Sequence, residues 1–350
     1  MEENTRFISN LCDYVRLITN QNQINREKSF NNSEPNDKEY YRYWLQKHPI
    51  LSNEISDIND HLIKEILSCY PQECFKIYDL LWHLGCDETN KNENQRFYYR
   101  GNDRVDYKLA PGIYRKNMKE ENYFFREMQV RCSMQLSQNS LLDKLVYLQH
   151  YDCPTRLLDI TTNPLVALYF ACSNNFNDNG IVYCFIVKEK DILYPNSDRA
   201  QMLSHLCEFS TSEQQQIMAI AILSSAKNKF PQKKNSTYLN SIIERLYHSI
   251  KRETAAFERV MNPFDLLRPA FVQVAKNNPR IIKQDGAFIL SGLNINEQDC
   301  DNRIKKYVSQ KIIIPSHCKN NILHELEQVG ICEATLFPEV DKVASFLKKQ

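Results

Sequence analysis

The sequence predicts an α+β fold with a mixed or antiparallel central sheet and flanking helices. Short runs rich in β-branched and aromatic residues alternate with amphipathic helical segments, and no internal repeat is visible. The 350 residues are 42% hydrophobic and 25% charged, which allows a substantial core in one large domain or two ordinary ones. We therefore expect a sheet built from segments that lie far apart along the chain.

The first 75 residues are predicted to form a helical N-terminal region. Residues 1–50 are polar and rich in Asn, and the segment 20–44 is typical of a loop leading into a short helix. Residues 51–85 are predicted to be helical because their apolar side chains recur on one face, at Ile55, Ile58, Leu62, Ile63, Ile66 and Leu67. The main domain then covers 76–350.

The main domain contains the segments that we expect to build the sheet and its helices. Runs of β-branched and aromatic residues predict strands at 96–102, 180–187, 271–274, 286–292 and 305–315. Helical periodicity predicts helices at 120–134, 141–151, 163–173, 320–331 and 341–349. The first of these helices is expected to bury Tyr123, Phe124, Met128 and Cys132. Asn163 can cap the third helix and Pro164 suits its first position. The polar, mostly helical residues 188–262 are interpreted as a helical insertion.

Charge and cysteine usage exclude several classes of protein. With 44 basic and 43 acidic residues the net charge is +1, unlike that of a dedicated nucleic-acid binder. The 12 cysteines form no CxxC pair, so we expect neither a zinc site nor a compact disulfide framework, and no metal. The N-terminus has no signal-peptide pattern, and the longest apolar stretch, 217–226, is too short to span a bilayer. These features favour a cytoplasmic protein without membrane contact.

Glycine is scarce, and one glycine follows a conspicuous arginine. Seven glycines in the whole chain exclude GxGxxG and Walker-type phosphate loops. Arg100 follows an apolar run at the end of a predicted strand, where its guanidinium can offer a forked donor to phosphate. The ordinary alternative for Arg100 is a salt bridge at the strand end. Gly101 either allows a ligand to approach the backbone closely or forms a plain turn.

The densest group of polar residues lies between two predicted apolar helices. Several of its members must be partly buried and therefore need partners; they are His150, Tyr151, Thr155, Arg156, Asp159, Thr161, Thr162 and Asn163. Arg156 and Asp159 could pair to join helix and strand. His150 could be a core histidine or a general base. No Ser-His-Asp order and no HExxH motif is present.

Four segments in order resemble the FRG domain, a bacterial and phage family named for its (F/Y)RG motif. Here the motif reads Tyr99-Arg100-Gly101, and the segments are 97–103, 148–171, 277–290 and 330–347. The resemblance spans about 76–347 and is interrupted by the helical residues 188–262.

The segment LDITTNPLVALYFA is also similar to the Ser-Thr-Ser strand and following helix of arginine-type ADP-ribosyltransferases. This second resemblance implies an ADP-ribosyltransferase-like fold with NAD as the substrate. The implied NAD-binding residues are Tyr99, Arg100, Gly101, Arg156, Asp159, Thr161 and Thr162. The implied catalytic residues are Arg100, His150, Gln284 and Asp285, of which Gln284 or Asp285 occupies the position of the family's glutamate.

The implied function is an NAD-dependent ADP-ribosyltransferase or NAD glycohydrolase that acts as a toxin or phage-defence effector. NAD cleavage passes through an oxocarbenium-like state, which a clamped diphosphate and a nearby carboxylate stabilise. Gln284 cannot act as a base, so activity would depend on Asp285, His150, Asp159 or another carboxylate. The acceptor would be a protein or nucleic acid, and a neutralising or activating protein partner is expected. The alternative is a non-catalytic nucleotide- or macromolecule-binding module, a sensor or scaffold.

Overall fold

The structure is a computed structural model that describes residues 5–24, 94–115, 118–136, 140–225, 238–258, 262–294 and 296–348. The helix that we predicted within 51–85 lies outside these residues.

One mixed sheet forms the centre of the molecule. Its strands are β1 (Thr5–Phe7), β2 (Gln95–Asn102), β3 (Leu157–Thr161), β4 (Gly180–Lys188), β5 (Ile192–Leu193), β6 (Ala270–Val272), β7 (Gly286–Leu290) and β8 (Val308–Ile314). They lie in the order β1-β8-β4-β2-β3-β7-β6-β5. The β1–β8 and β5–β6 pairs are parallel and the other pairs are antiparallel. The predicted α+β class with a mixed sheet and flanking helices is confirmed.

The helices pack against this sheet. They are α1 (Leu11–Ile24), α2 (Glu121–Arg131), α3 (Ser133–Leu136), α4 (Leu141–His150), α5 (Pro164–Cys172), α6 (Asp198–His205), α7 (Thr211–Ser225), α8 (Tyr238–Glu253), α9 (Pro279–Lys283), α10 (Glu297–Lys305), α11 (Lys319–Gln328), α12 (Glu333–Leu336) and α13 (Val340–Leu347). Helix α5 begins as predicted, because the Asn163 side chain accepts a hydrogen bond from the Leu165 amide and Pro164 occupies the first turn.

The two faces of the sheet carry different apolar clusters. On one face, α1, α5 and α11 cover β8, β4 and β2, with Tyr99 and Val182 in the shared core. Helices α4, α6, α7 and α8 form a second cluster on the same face, over β3, β6 and β7, where Leu157 and Leu290 are buried. The opposite face is covered in part by α10. Side chains of β3 that point to the first face therefore lie at the boundary between its two clusters.

Several sequence-based expectations need correction. Tyr123 is exposed, whereas the aromatic residue of α2 that is buried is Phe125. Phe125 lies four positions after Glu121 and therefore on the same buried face of the helix. Helix α1 lies in the region predicted to be helical and extends into the segment 20–44 that we expected to be a loop. Strand β1 was not predicted, and 188–262 contain the short strand β5 besides the expected helices. Both missed strands have only two or three residues and depend on their neighbours for hydrogen bonds, so the local sequence signal is weak.

A buried lysine ties the end of β2 to the loop after α5. The side chain of Lys319 is completely buried at the start of α11. Its ammonium donates hydrogen bonds to the backbone carbonyls of Asp103 at 2.7 Å, Asn174 at 3.0 Å and Asn175 at 3.0 Å. Three charged hydrogen bonds make this burial tolerable, since an unpaired buried ammonium would be very costly.

Within the described ranges, no helix combines the length and the apolar character needed to cross a bilayer. The nine cysteines of these ranges are free thiols.

Candidate functional site

A cavity lies where the sheet splits between β2 and β3. Strand β2 pairs with β4 along its whole length. By contrast, one residue pair, Tyr99 with Thr161, joins β2 to β3. The cavity has a volume of about 170 Å³, and its lining residues are Tyr99, Arg100, Gly101, Asp159, Ile160, Thr161, Val166, Phe170, Arg280 and Gln284.

Six residues that we selected from the sequence line this cavity together. They come from three separate segments and are Tyr99, Arg100, Gly101, Asp159, Thr161 and Gln284. Four other selected residues do not line it: His150, Arg156, Thr162 and Asp285.

Arg100 is half-buried and reaches from β2 to β3. Its Nη1 donates a hydrogen bond to the carbonyl oxygen of Asp159 at 2.6 Å, across the split in the sheet. Its Nε is buried and has no hydrogen-bond partner among the described residues. Burial lowers the pKa of Arg100, and the charge of Asp159 is the largest influence that opposes this shift. The expected strand-end salt bridge is therefore wrong: the partner is a carbonyl, and a buried donor remains for a ligand.

Thr161 connects β3 to the turn before β7. Its hydroxyl donates to the carbonyl of Gln284 at 2.7 Å and accepts a hydrogen bond from the Asn163 amide at 2.9 Å. Thr162 is exposed, and its amide donates to the carbonyl of Asp285 at 3.1 Å. The Thr-Thr-Asn sequence therefore fixes the position of the turn that bears Gln284 and Asp285.

The turn places the side chains of Gln284 and Asp285 in different surroundings. The backbone of Asp285 has a φ of 46°, in the left-handed region. Its carboxylate lies 3.5 Å from the ammonium of Lys276 and accepts a hydrogen bond from Asn163 Nδ2 at 3.3 Å. Gln284 lines the cavity, while its Nε2 donates to the Leu336 carbonyl at 3.1 Å. An amide, and not a carboxylate, thus faces the cavity from this turn.

Arg156 belongs to the framework of the fold, which corrects its predicted place beside NAD. Its guanidinium is fully buried, and Nε donates to Glu121 Oε2 at 2.9 Å. Nη1 and Nη2 donate to the Leu203 carbonyl and to Gln214 Oε1. Burial opposes the charge, but the Glu121 carboxylate outweighs burial and raises the pKa of Arg156. No donor group of this side chain is left for a ligand.

The expected Arg156–Asp159 pair is also wrong. Asp159 is exposed, and its Oδ2 accepts a hydrogen bond from Gln149 Nε2 at 3.0 Å. Arg156 precedes β3, and its guanidinium pairs with the carboxylate of Glu121 instead.

His150 lies at the end of α4, beside Tyr151. The two rings meet edge to face with 4.8 Å between centroids, and His150 Nε2 is 3.7 Å from Glu339 Oε1. Burial, together with the charge of Arg280, lowers the pKa of His150. Its imidazole is therefore mainly neutral at pH 7.

Arg280 is a lining residue that our sequence reasoning missed. It lies in the first turn of α9, where the Asn278 side chain accepts a hydrogen bond from the Arg280 amide at 2.8 Å. Its guanidinium lies 4.6 Å from the ring centroid of Phe337 and forms no ion pair within the described part of the chain. The Asn-Pro helix start just before the Gln284 turn was the signal that could have placed this arginine.

Comparison with known protein families gives one match. The FRG domain model matches residues 95–180. The chain contains an FRG domain. The matched range runs from β2 to the first residue of β4, so it includes Arg100, Asp159 and Thr161 and ends before Arg280 and Gln284. The larger predicted extent, about 76–347, stays a prediction. Comparison with curated proteins and with solved structures found no match.

Proposed function

We propose that the FRG domain binds NAD in this cavity and cleaves the bond between nicotinamide and ribose. The domain would be an ADP-ribosyltransferase or an NAD glycohydrolase, with an ADP-ribosyltransferase-like fold. The observation that supports this most directly is that Arg100, Thr161 and Gln284 line one cavity although they are far apart along the chain.

The charges of the cavity suit a diphosphate. Arg100 and Arg280 both line it, and their planar guanidinium groups match phosphate oxygens with paired hydrogen bonds. Arg100 Nε is a buried donor that a phosphate oxygen would satisfy. Tyr99, Ile160 and Phe170 supply apolar surface for a flat aromatic ring.

The size of the cavity limits which part of NAD it encloses. Its volume of about 170 Å³ is below the ~300–1,000 Å³ typical of pockets that enclose a drug-sized ligand. We therefore expect the nicotinamide end to enter the cavity, with the adenosine end on the open surface beside it.

The test is release of nicotinamide from NAD by the purified chain. We expect Arg100→Ala to weaken NAD binding by about 10- to 100-fold, because a charged hydrogen bond contributes about 1.5–3 kcal/mol. Arg104→Ala is the matched control: this nearby arginine pairs with Asp106 and does not line the cavity. Absence of nicotinamide release by the wild type, at protein and NAD concentrations where binding is saturated, would count against the proposal.

A second candidate is a non-catalytic nucleotide-binding module. The position of Asp285 favours it, because that carboxylate is paired with Lys276 and does not line the cavity. Calorimetry with NAD and ADP-ribose, alongside the turnover assay, separates the two functions: saturable binding without turnover supports the module.

The biological role as a toxin or phage-defence effector stays a prediction. Labelled NAD incubated with the chain and a cell extract would show whether protein or nucleic acid is the acceptor. If nicotinamide is released but neither protein nor nucleic acid carries the label, water is the acceptor.

A further inference from the structure

We propose that Asp159 is the catalytic carboxylate of this site, in place of the glutamate that arginine-type ADP-ribosyltransferases carry at the turn. This inference rests on the proposed cleavage of NAD. It assigns the role to β3 instead of to the turn that bears Gln284 and Asp285.

Asp159 is the one acidic residue among the described residues that line the cavity. Its side chain shares a sheet face with Thr161, because side chains two positions apart in a strand point the same way. The Arg100 guanidinium contacts the backbone of the same residue, through the Asp159 carbonyl. The Asp159 charge also acts on Arg100, where it opposes the lowering of the Arg100 pKa by burial. The carboxylate therefore influences the proposed diphosphate ligand and lies on the same side of β3 as the threonine hydroxyl.

A polar pair holds the Asp159 carboxylate without neutralising it. Gln149 Nε2 donates to Asp159 Oδ2 at 3.0 Å, and Gln149 Oε1 accepts a hydrogen bond from Thr155 Oγ1 at 2.8 Å. Thr155 is buried, so the amide of Gln149 is fixed in orientation. Oδ1 of Asp159 has no hydrogen-bond partner within the described ranges and is available to a substrate or water.

The alternatives within the predicted catalytic set are less suited. Asp285 is paired with the Lys276 ammonium at 3.5 Å and does not line the cavity. Gln284 carries an amide, which has no basic carboxylate oxygen. His150 does not line the cavity and approaches Glu339 instead.

The proposed step balances as a hydrolysis. The bond between ribose C1′ and the pyridinium nitrogen breaks, and the nitrogen keeps the electron pair, so neutral nicotinamide leaves. The Asp159 carboxylate stabilises the positive charge that develops on the ribose. A water oxygen then bonds to C1′, and its proton passes to Asp159 and on to solvent. The products are nicotinamide, ADP-ribose and one proton. A nucleophile on an acceptor replaces water in the transferase reaction.

The experiment compares Asp159→Asn with Asp285→Asn, a change of the same chemistry at the neighbouring carboxylate. We expect Asp159→Asn to lower the rate constant for nicotinamide release by at least about 100-fold, the usual minimum for a positioned acid–base group. NAD affinity should change by less than about 3-fold, since the asparagine oxygen can still accept the Gln149 hydrogen bond. Asp285→Asn should retain at least half of the rate.

Asp159→Glu and thermal unfolding provide two further readouts. The glutamate variant should recover part of the rate that the asparagine variant lacks. The melting temperatures of both variants should lie within about 2 °C of the wild-type value, because Asp159 is exposed. If the wild type releases nicotinamide and Asp159→Asn does so equally fast, this inference is wrong while the proposed function stands. If the wild type binds NAD but releases none, both are wrong.

Discussion

Gly101, the glycine of the Tyr99-Arg100-Gly101 motif, allows helix α5 to pack directly on β2. A Cβ atom added at Gly101 would lie 1.8 Å from the carbonyl oxygen of Ala167 and 2.7 Å from the amide nitrogen of Ala171. Both are backbone atoms of α5, so no side-chain rotation can relieve the overlap. The helix would have to move outward by roughly 1.5 Å to restore an ordinary contact, and its buried face would lose close packing.

We expect Gly101→Ala to lower the free energy of unfolding by about 3 kcal/mol. Overpacking of a core costs about 1–3 kcal/mol and occasionally more, and here the obstruction is rigid backbone. The loss corresponds to a drop in the melting temperature of roughly 4 °C for a chain of 350 residues, whose unfolding entropy is about 2.1 cal/mol/K per residue. Circular dichroism at increasing temperature measures it.

Gly112→Ala is the matched control for this prediction. A Cβ there would meet its nearest atoms, in Pro154, at 3.8 Å, which is an ordinary contact. Its melting temperature should stay within about 2 °C of the wild type. If Gly101→Ala has the melting temperature of the wild type, the close approach of α5 to β2 is wrong. If both variants melt early by the same amount, the loss is a general effect of substituting glycine.

Three further predictions concern buried polar groups. Glu121→Gln should lower the free energy of unfolding in urea by about 3–5 kcal/mol, because it leaves the Arg156 charge buried without its counter-ion. The double variant with Arg156→Met should recover part of this loss. If Glu121→Gln alone is as stable as the wild type, the reasoning is wrong. Lys319→Met should lower the free energy of unfolding by about 3 kcal/mol, since three backbone carbonyls lose a charged donor. Wild-type stability would show that those carbonyls find other donors. Burial, together with two nearby cations, lowers the pKa of His205 to about 4. Because the unfolded histidine titrates near pH 6.5, protons favour the unfolded chain below that pH, and stability should fall by about 2 kcal/mol from pH 7.5 to pH 5. His205→Leu should remove this contribution, and an identical pH profile in the variant would contradict it.

Local chemistry made part of the fold predictable. The Asn163-Pro164 start of α5 follows from capping preferences, and β2 and β4 follow from runs of aromatic and β-branched residues. Strand β1 was not predictable in this way. Its three residues acquire their hydrogen bonds from β8, more than 300 positions away, and no local pattern reports such a partner.

The candidate site was predictable in outline but not in its contacts. The motif and the Thr-Thr sequence pointed to Arg100 and Thr161, which line the same cavity. Spacing suggested Asp159 as the partner of Arg156, yet the partner is Glu121, which tertiary packing brings from another helix. Arg280 was missed because the approach of α9 to the cavity depends on how the turn before β7 is held, and the sequence does not encode that locally.

The position of β1 has a consequence for synthesis of the chain. Residues 5–7 are made about 300 residues before their partner strand at 308–314. At about 5–20 residues per second, this strand waits roughly 15–60 s for its neighbour. This edge of the sheet can therefore form only after residues 308–314 have been made, so nascent chains stalled before residue 308 should leave residues 5–7 open to proteases.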